Sequence, residues 1–389
     1  MKLESVILND FFLLLNRINA NYCVMNNYNN MPEIIPSDVD IAVDMKTYNM
    51  LDSLVEYLAK RHKVSITQKI WHGYYKCAYI LSPIDIVDYF WLQLDFFVDF
   101  SGKGFPNLFP NSEMLNNKRK YKNFYIPTIR VEIPFILERR IFKNDIEEKH
   151  IDILFNLYQI NPKEAENGVF KVFGPEDGQL LIKCIKHKDI NTFKNNFKTL
   201  RKQLQGISKK NTNILYRIKY IFWQGVRTLY RLLYPTGLSI VFIGKDDLVK
   251  KEIIKVFNEK ISGSFHGEKF YNPKSFFEYV YLAFNDFWAR VTKKKTLWNI
   301  DNRVLFNKKI SYFIYQDVII ALNLEQDVIK NSQMAKHCLC IDSCTLLTNK
   351  DKVIQQCLAY SLKKQVQNTS KHLYSKLSPT SRKVLYEEK

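Results

Sequence analysis

Paired cysteines are missing from this sequence. Its seven cysteines are scattered over 389 residues without even spacing, which excludes a disulfide framework and points to a reducing compartment. Long hydrophobic runs are missing too, since no stretch approaches the roughly 18–20 apolar residues of a membrane span. The apolar run Phe11 to Leu15 is short, follows Glu4 and Asp10, and precedes no small-residue cleavage site, which argues against a secretory signal. Internal repeats and low-complexity tracts are absent. Acidic residues are in short supply: 39 Asp and Glu stand against 58 Lys and Arg, a net charge of +19. Such a surplus favours polyanionic partners: nucleotides, nucleic acid, anionic lipid headgroups or phosphorylated glycan carriers. The expected location is the cytoplasm, with peripheral contact to the inner membrane as a further expectation.

What is present suffices for more than one core. Apolar residues make up 46% of the chain and aromatics 14%, and the length points to two or three domains. Helical spacing of Val6, Phe11, Leu14, Leu15 and Ile18 predicts an opening helix over residues 1–20. Strands are predicted at Tyr22–Met25, Val39–Val43, 76–81 and 91–99, with a helix from Lys46 to Arg61. From Ile133 to Leu204 the pattern is mainly helical. Boundaries are expected at residues 1–130, 131–205, 206–235, 236–370 and 371–389, the last a polar tail. Between Lys183 and Arg231 stand thirteen Lys or Arg and a single acid, Asp189. The end of that stretch mixes cations with Tyr216, Tyr220, Phe222, Trp223 and Tyr230 before stopping at Pro235-Thr236-Gly237. Residues 211–234 admit three readings: a linker helix between domains, an interfacial helix on anionic lipid, or a nucleic-acid surface.

The chemistry-bearing pattern is Ser37-Asp38-Val39-Asp40-Ile41-Ala42-Val43. On a strand, period-two geometry turns Asp38 and Asp40 to one face and Val39 and Ile41 to the core. Two carboxylates held rigidly can share a divalent cation, and a third from a neighbouring strand completes such a site. Asp95, in Leu92-Gln93-Leu94-Asp95-Phe96, is the first choice for the third ligand and Asp99 the second. Arg139, Arg140 and Lys143 on a predicted helix are candidate phosphate contacts, or simply a basic helix face.

With these residues, and with Tyr22-Cys23-Val24-Met25-Asn26 and Met31-Pro32-Glu33 before them, residues 1–205 resemble the nucleotidyltransferase (polymerase-beta-like) superfamily. More narrowly, they resemble nucleotidyltransferase-like proteins of bacterial surface-polysaccharide gene clusters. The resemblance implies an α+β N-terminal domain with a helical extension, Mg²⁺ or Mn²⁺ on Asp38, Asp40 and Asp95, and a nucleoside triphosphate as donor. One departure stands out: the glycine turn that grips the triphosphate in this superfamily is replaced by Asn26-Asn27-Tyr28-Asn29-Asn30.

Residues 236–260 resemble the opening of a thymidylate-kinase-like P-loop domain, which implies a three-layer α/β C-terminal half. Gly244 and Lys250 fall on the family's phosphate-binding pattern, but Val249 replaces its second glycine and Lys251 its Mg²⁺-binding hydroxyl residue. A valine obstructs the phosphate cradle and a lysine cannot ligate Mg²⁺, so this domain is expected to be a degenerate kinase fold. Asp317 sits where the family carries a second acidic strand, without the usual Asp-Arg pair. Cys338, Cys340 and Cys344 with His337 lack a second metal-ligand pair and are read as small buried thiols. The two-part resemblance implies nucleotidyl or phosphoryl transfer to a sugar or glycan intermediate in surface polysaccharide biosynthesis. The alternatives are a catalytically silent scaffold of a glycan-assembly complex, or an RNA- or protein-modifying nucleotidyltransferase of a defence or toxin–antitoxin system.

Overall fold

Five consecutive residues, Val39-Asp40-Ile41-Ala42-Val43, are buried along their whole length. A strand buried on both faces belongs inside a sheet. The computed structural model describes residues 2–83, 90–102, 105–233, 235, 237–244, 247–261, 267–273, 275–292, 294–300, 317–322, 338–341 and 350–373. In it Val39–Val43 (β2) lies between Tyr22–Val24 (β1), which runs antiparallel to it, and Leu92–Phe97 (β5), which runs parallel. With Ser65–Gly73 (β3) and Lys76–Ser82 (β4) they form a five-stranded sheet in the order β1-β2-β5-β4-β3.

The chain divides into two compact units. One holds Met1–Leu54, Trp71–Ala78 and Leu94–Gly225, the other Val55–Ile70, Tyr79–Gln93 and Val226–Lys389. The helices Leu3–Arg17 (α1) and Met45–Arg61 (α2) fall where apolar spacing and chain punctuation predict them. The single strand expected over 91–99 does not form. β5 ends at Phe97, and Asp99–Gly102 (β6) opens a separate hairpin with Phe105–Pro110 (β7). A short helix, Asn111–Asn116 (α3), and a second hairpin, Lys118–Tyr121 (β8) with Phe124–Pro127 (β9), follow.

The predicted helical stretch resolves into Ile129–Lys143 (α4), Glu148–Ile160 (α5), Pro162–Lys186 (α6), Ile190–Asn195 (α7) and Phe197–Lys210 (α8). Phe100, Phe105, Phe109, Phe135, Phe173 and Phe193 anchor their shared core. Gly168 permits the approach of α6 to α4, because a Cβ there would stand on the Arg130 carbonyl oxygen. The run ends in Ile214–Leu233 (α9).

The second unit contains a wholly parallel sheet. Leu238–Ile243 (β10) is its middle strand, flanked by Lys295–Ile300 (β12) and Val318–Leu322 (β13), with Glu268–Tyr271 (β11) and Cys338–Ile341 (β14) outermost. Alternate β10 residues serve opposite faces. Leu238, Ile240 and Phe242 pack against Ile253, Ile254 and Phe257 of Asp247–Ile261 (α10) and against Val353, Ile354 and Leu358 of Lys350–Leu373 (α12). Val241 and Ile243 pack with Tyr279 of Phe276–Val291 (α11). Helices on both faces of a parallel sheet give the α/β three-layer arrangement. Cys340 corrects the reading of buried thiols: it is exposed on the outermost strand, where Cys338 is half-buried. Cys344 and His337 lie outside the described residues. Among those described, no helix is long and apolar enough to cross a membrane.

Candidate metal centre

Parallel pairing of β2 with β5 sets Asp40 directly beside Asp95. Residues in register on neighbouring parallel strands share a face of the sheet, so both carboxylates emerge on one side. Asp38, immediately before β2, joins them, and one carboxylate oxygen from each of the three lies within 4.8 Å of the others. Asp40 and Asp95 are buried and Asp38 is half-buried. Asp99 stays outside the group: on β6 its carboxylate accepts a hydrogen bond from the Tyr216 hydroxyl.

Three acids this close repel one another by roughly 3 kcal/mol per ionised pair at an effective dielectric constant of about 20. Burial, then Asp40 beside it, raises the Asp38 pKa above the usual carboxylate range, while Ser37 Oγ donates to its Oδ1 at 3.0 Å and works the other way. Cations and an amide donor face the three acids. Arg139 Nη1 donates to Asp40 Oδ2 at 2.7 Å, and Asn26 Nδ2 donates to the same oxygen at 3.3 Å. Lys76, at the start of β4, has its ammonium 4.2 Å from the Phe97 ring centroid. Burial lowers its pKa, and nearby Asp40 and Asp95 pull it back up. Lys143 also acts on Asp38 and Asp40, so three formal negative charges face Arg139, Lys76 and Lys143. An all-oxygen, all-carboxylate donor set suits a hard divalent cation.

A cavity of about 530 Å³ adjoins the site, lined by Asn26, Asn27, Tyr28, Arg119, Glu132, Arg139, Arg140, Lys149 and His150, among others. The turn without glycine forms part of its wall. Asn27 takes φ +55° there, a left-handed conformation that asparagine tolerates better than other side-chain-bearing residues. Arg139 Nε is buried and has no hydrogen-bond partner among the described residues. Arg140 donates to Asp145 Oδ2 at 3.3 Å and lies 3.0 Å from His150 Nε2. Lys143, at the end of α4, has its pKa lowered by burial, then by Arg139 and Arg140. Burial raises Glu132 to about 7 although it accepts from the Tyr28 hydroxyl at 2.8 Å.

In the second unit Gly244 follows the carboxyl end of β10, the end at which open parallel sheets bind ligands. A Cβ on Gly244 would lie 2.8 Å from the Leu322 carbonyl oxygen, so the close approach of β13 requires glycine here. Lys250 is buried beside it, and its Nζ donates to the Ile300 carbonyl at 3.2 Å. Asp317 stands at the opposite end of the sheet, before β13. There it accepts from the Ser239 backbone N–H at 2.9 Å and faces Arg290 at 3.8 Å.

Comparison with protein-family models, with curated proteins and with solved structures finds no match to this chain. The geometry of the site therefore carries the functional reading. It assembles Asp38, Asp40, Asp95 and Arg139, and it adds Asn26, Lys76, Arg119, Lys149 and His150, which sequence reasoning missed. Of these, Asn26 stood in the turn that replaces the glycine turn and Arg119 in the cationic run Lys118-Arg119-Lys120, but neither signal pointed to the carboxylates.

Proposed function

We propose that this chain is a divalent-metal-dependent transferase of the nucleotidyltransferase type, moving a nucleotidyl or phosphoryl group from a nucleoside triphosphate to a sugar or glycan hydroxyl. The observation that carries this reading is the convergence of Asp38, Asp40 and Asp95 from β2 and β5, with oxygens within 4.8 Å, beside a cationic cavity. Oxygens on opposite sides of an octahedral Mg²⁺ stand about 4 Å apart, and those across Ca²⁺ about 5 Å, so the spread fits an ion of this kind. Mg²⁺ or Mn²⁺ held there would neutralise phosphate oxygens and orient the attacking group. Arg119, Arg139, Arg140 and Lys149 supply charge for a polyphosphate in the adjoining cavity. Asp95 is the carboxylate assigned to drawing the proton from the acceptor hydroxyl. The acceptor class follows from the resemblance to proteins of surface-polysaccharide clusters. In the second unit, commitment of the Lys250 ammonium to a backbone carbonyl supports a degenerate thymidylate-kinase-like domain without kinase activity.

One observation favours a second reading, a catalytically silent scaffold. Arg139 already pairs with Asp40, and with Lys76 it supplies the acids with counter-charge from the protein itself. Calorimetry with a panel of nucleoside triphosphates, with and without Mg²⁺ or Mn²⁺, separates the two. The transferase reading predicts metal-dependent nucleotide binding by the wild-type chain that Asp38→Ala/Asp40→Ala abolishes. No nucleotide binding by the wild type leaves the scaffold reading. Binding that survives the double substitution moves the nucleotide site away from the carboxylates.

A further inference from the structure

Helix α9 is built inside out. Its polar tips turn inward: the Tyr216 hydroxyl donates to the Asp99 carboxylate, and the Tyr220 hydroxyl donates to the Gly102 carbonyl at 2.8 Å. Arg217 Nε donates to Thr212 Oγ1 at 3.0 Å, and the Trp223 ring packs edge-on to Trp71. The outward face is aliphatic and aromatic. Ile214, Leu215, Ile218, Ile221, Phe222 and Leu229 are each 57–69% exposed. Their spacing puts all six on one stripe of the helix. A water-facing helix ordinarily shows the reverse arrangement, and a contiguous apolar patch of this kind marks a docking surface.

The surrounding charge selects what docks. From Ile190 to Gly244 the chain carries ten Lys or Arg and no Asp or Glu. Lys209 and Lys210, at the end of α8, and Lys219, within α9, are exposed. Two copies meeting through this face would bring two cationic helices without a single acid of their own together and repel. Nucleic acid would satisfy the cations but leave the aliphatic stripe in water. An anionic bilayer satisfies both, with acyl chains taking up the stripe and lipid phosphates meeting the lysines.

We propose that α9 is an interfacial membrane helix that lies in the surface of an anionic bilayer with Ile218, Ile221 and Phe222 sunk below the headgroups. Docking on lipid is independent of the chemistry at the carboxylates, which lie on other elements. The test is flotation of the full-length chain with vesicles of phosphatidylcholine alone and of phosphatidylcholine mixed with phosphatidylglycerol. The wild type is expected to float with the mixed vesicles and not with phosphatidylcholine alone. Ile218→Asp/Phe222→Asp replaces two exposed side chains, so its circular dichroism and melting temperature should match the wild type. Its vesicle affinity should fall about a hundredfold. Lys209→Glu/Lys210→Glu/Lys219→Glu, with the stripe intact, should lose the preference for anionic lipid. Failure of the wild type to float overturns the proposal, as does unaltered flotation of Ile218→Asp/Phe222→Asp. A lipid-free oligomer that this double substitution dissociates, without flotation of the wild type, overturns it in favour of a second copy. Binding of single-stranded RNA in place of mixed vesicles overturns it in favour of nucleic acid.

Discussion

Buried acids occur in both units, and they are treated in opposite ways. In the second unit Asp286 is saturated. It accepts from Ser239 Oγ and Trp298 Nε1 at 3.0 Å each, from Thr296 Oγ1, and from Arg290 Nε at 3.0 Å. Asp317 is tied to the same arginine and to a backbone N–H. Every partner there is a donor, and both acids converge on Arg290. In the first unit Asp38, Asp40 and Asp95 bring an oxygen each within 4.8 Å of the others, and the Arg139 that pairs with Asp40 keeps a buried Nε without an acceptor among the described residues. Acids surrounded by donors hold a fold together, whereas acids gathered with one another, beside a cationic cavity, leave room for a cation. Buried charge alone therefore does not identify function; the groups that face it do.

That contrast breaks most readily at Asp286. Asp286→Ala strands the buried Arg290 and several donors, and should cost about 3–5 kcal/mol of stability while leaving Mn²⁺ binding by the folded fraction unchanged. Thermal melts and Mn²⁺ titration read the two effects separately. Arg139→Met leaves Asp40 without its closest cation and should cost about 3 kcal/mol without metal, with most of the loss recovered when Mn²⁺ is added. An equal loss with and without metal would place Arg139 with the structural ion pairs of the second unit. Lys250→Met keeps the buried stem and removes the hydrogen bond to Ile300. It should cost only about 1 kcal/mol and change no nucleotide affinity, as paired melts and calorimetry would show.

The carboxylate pair was legible because it rests on a two-residue period at the start of one short strand. Asp95 was legible as a candidate, but its position beside Asp40 depends on β5 pairing with β2 across the intervening β3 and β4. No local pattern encodes that pairing. Asp99 misled because the same alternation was carried through Val98, where the chain leaves the sheet. Lys76 and Arg119 were invisible for a related reason: they arrive from β4 and from the β8–β9 hairpin through tertiary packing. The mixture of cations and aromatics in α9 was plain in the sequence, but composition does not say which face turns inward. Asp99 and the Gly102 carbonyl decide that, by accepting from Tyr216 and Tyr220. Gly244 shows the limit of motif matching: its glycine is required by the Leu322 carbonyl, a need unrelated to phosphate.

The central claim is that Asp38, Asp40 and Asp95 form a divalent-cation site and are not merely neutralised by Arg139 and Lys76. Mn²⁺ binding followed by electron paramagnetic resonance tests it without a substrate. The wild-type chain should remove the free Mn²⁺ signal in at least equimolar amount, and Asp38→Asn/Asp40→Asn, folded by circular dichroism, should leave it intact. A free Mn²⁺ signal unchanged by the wild-type chain would contradict the account.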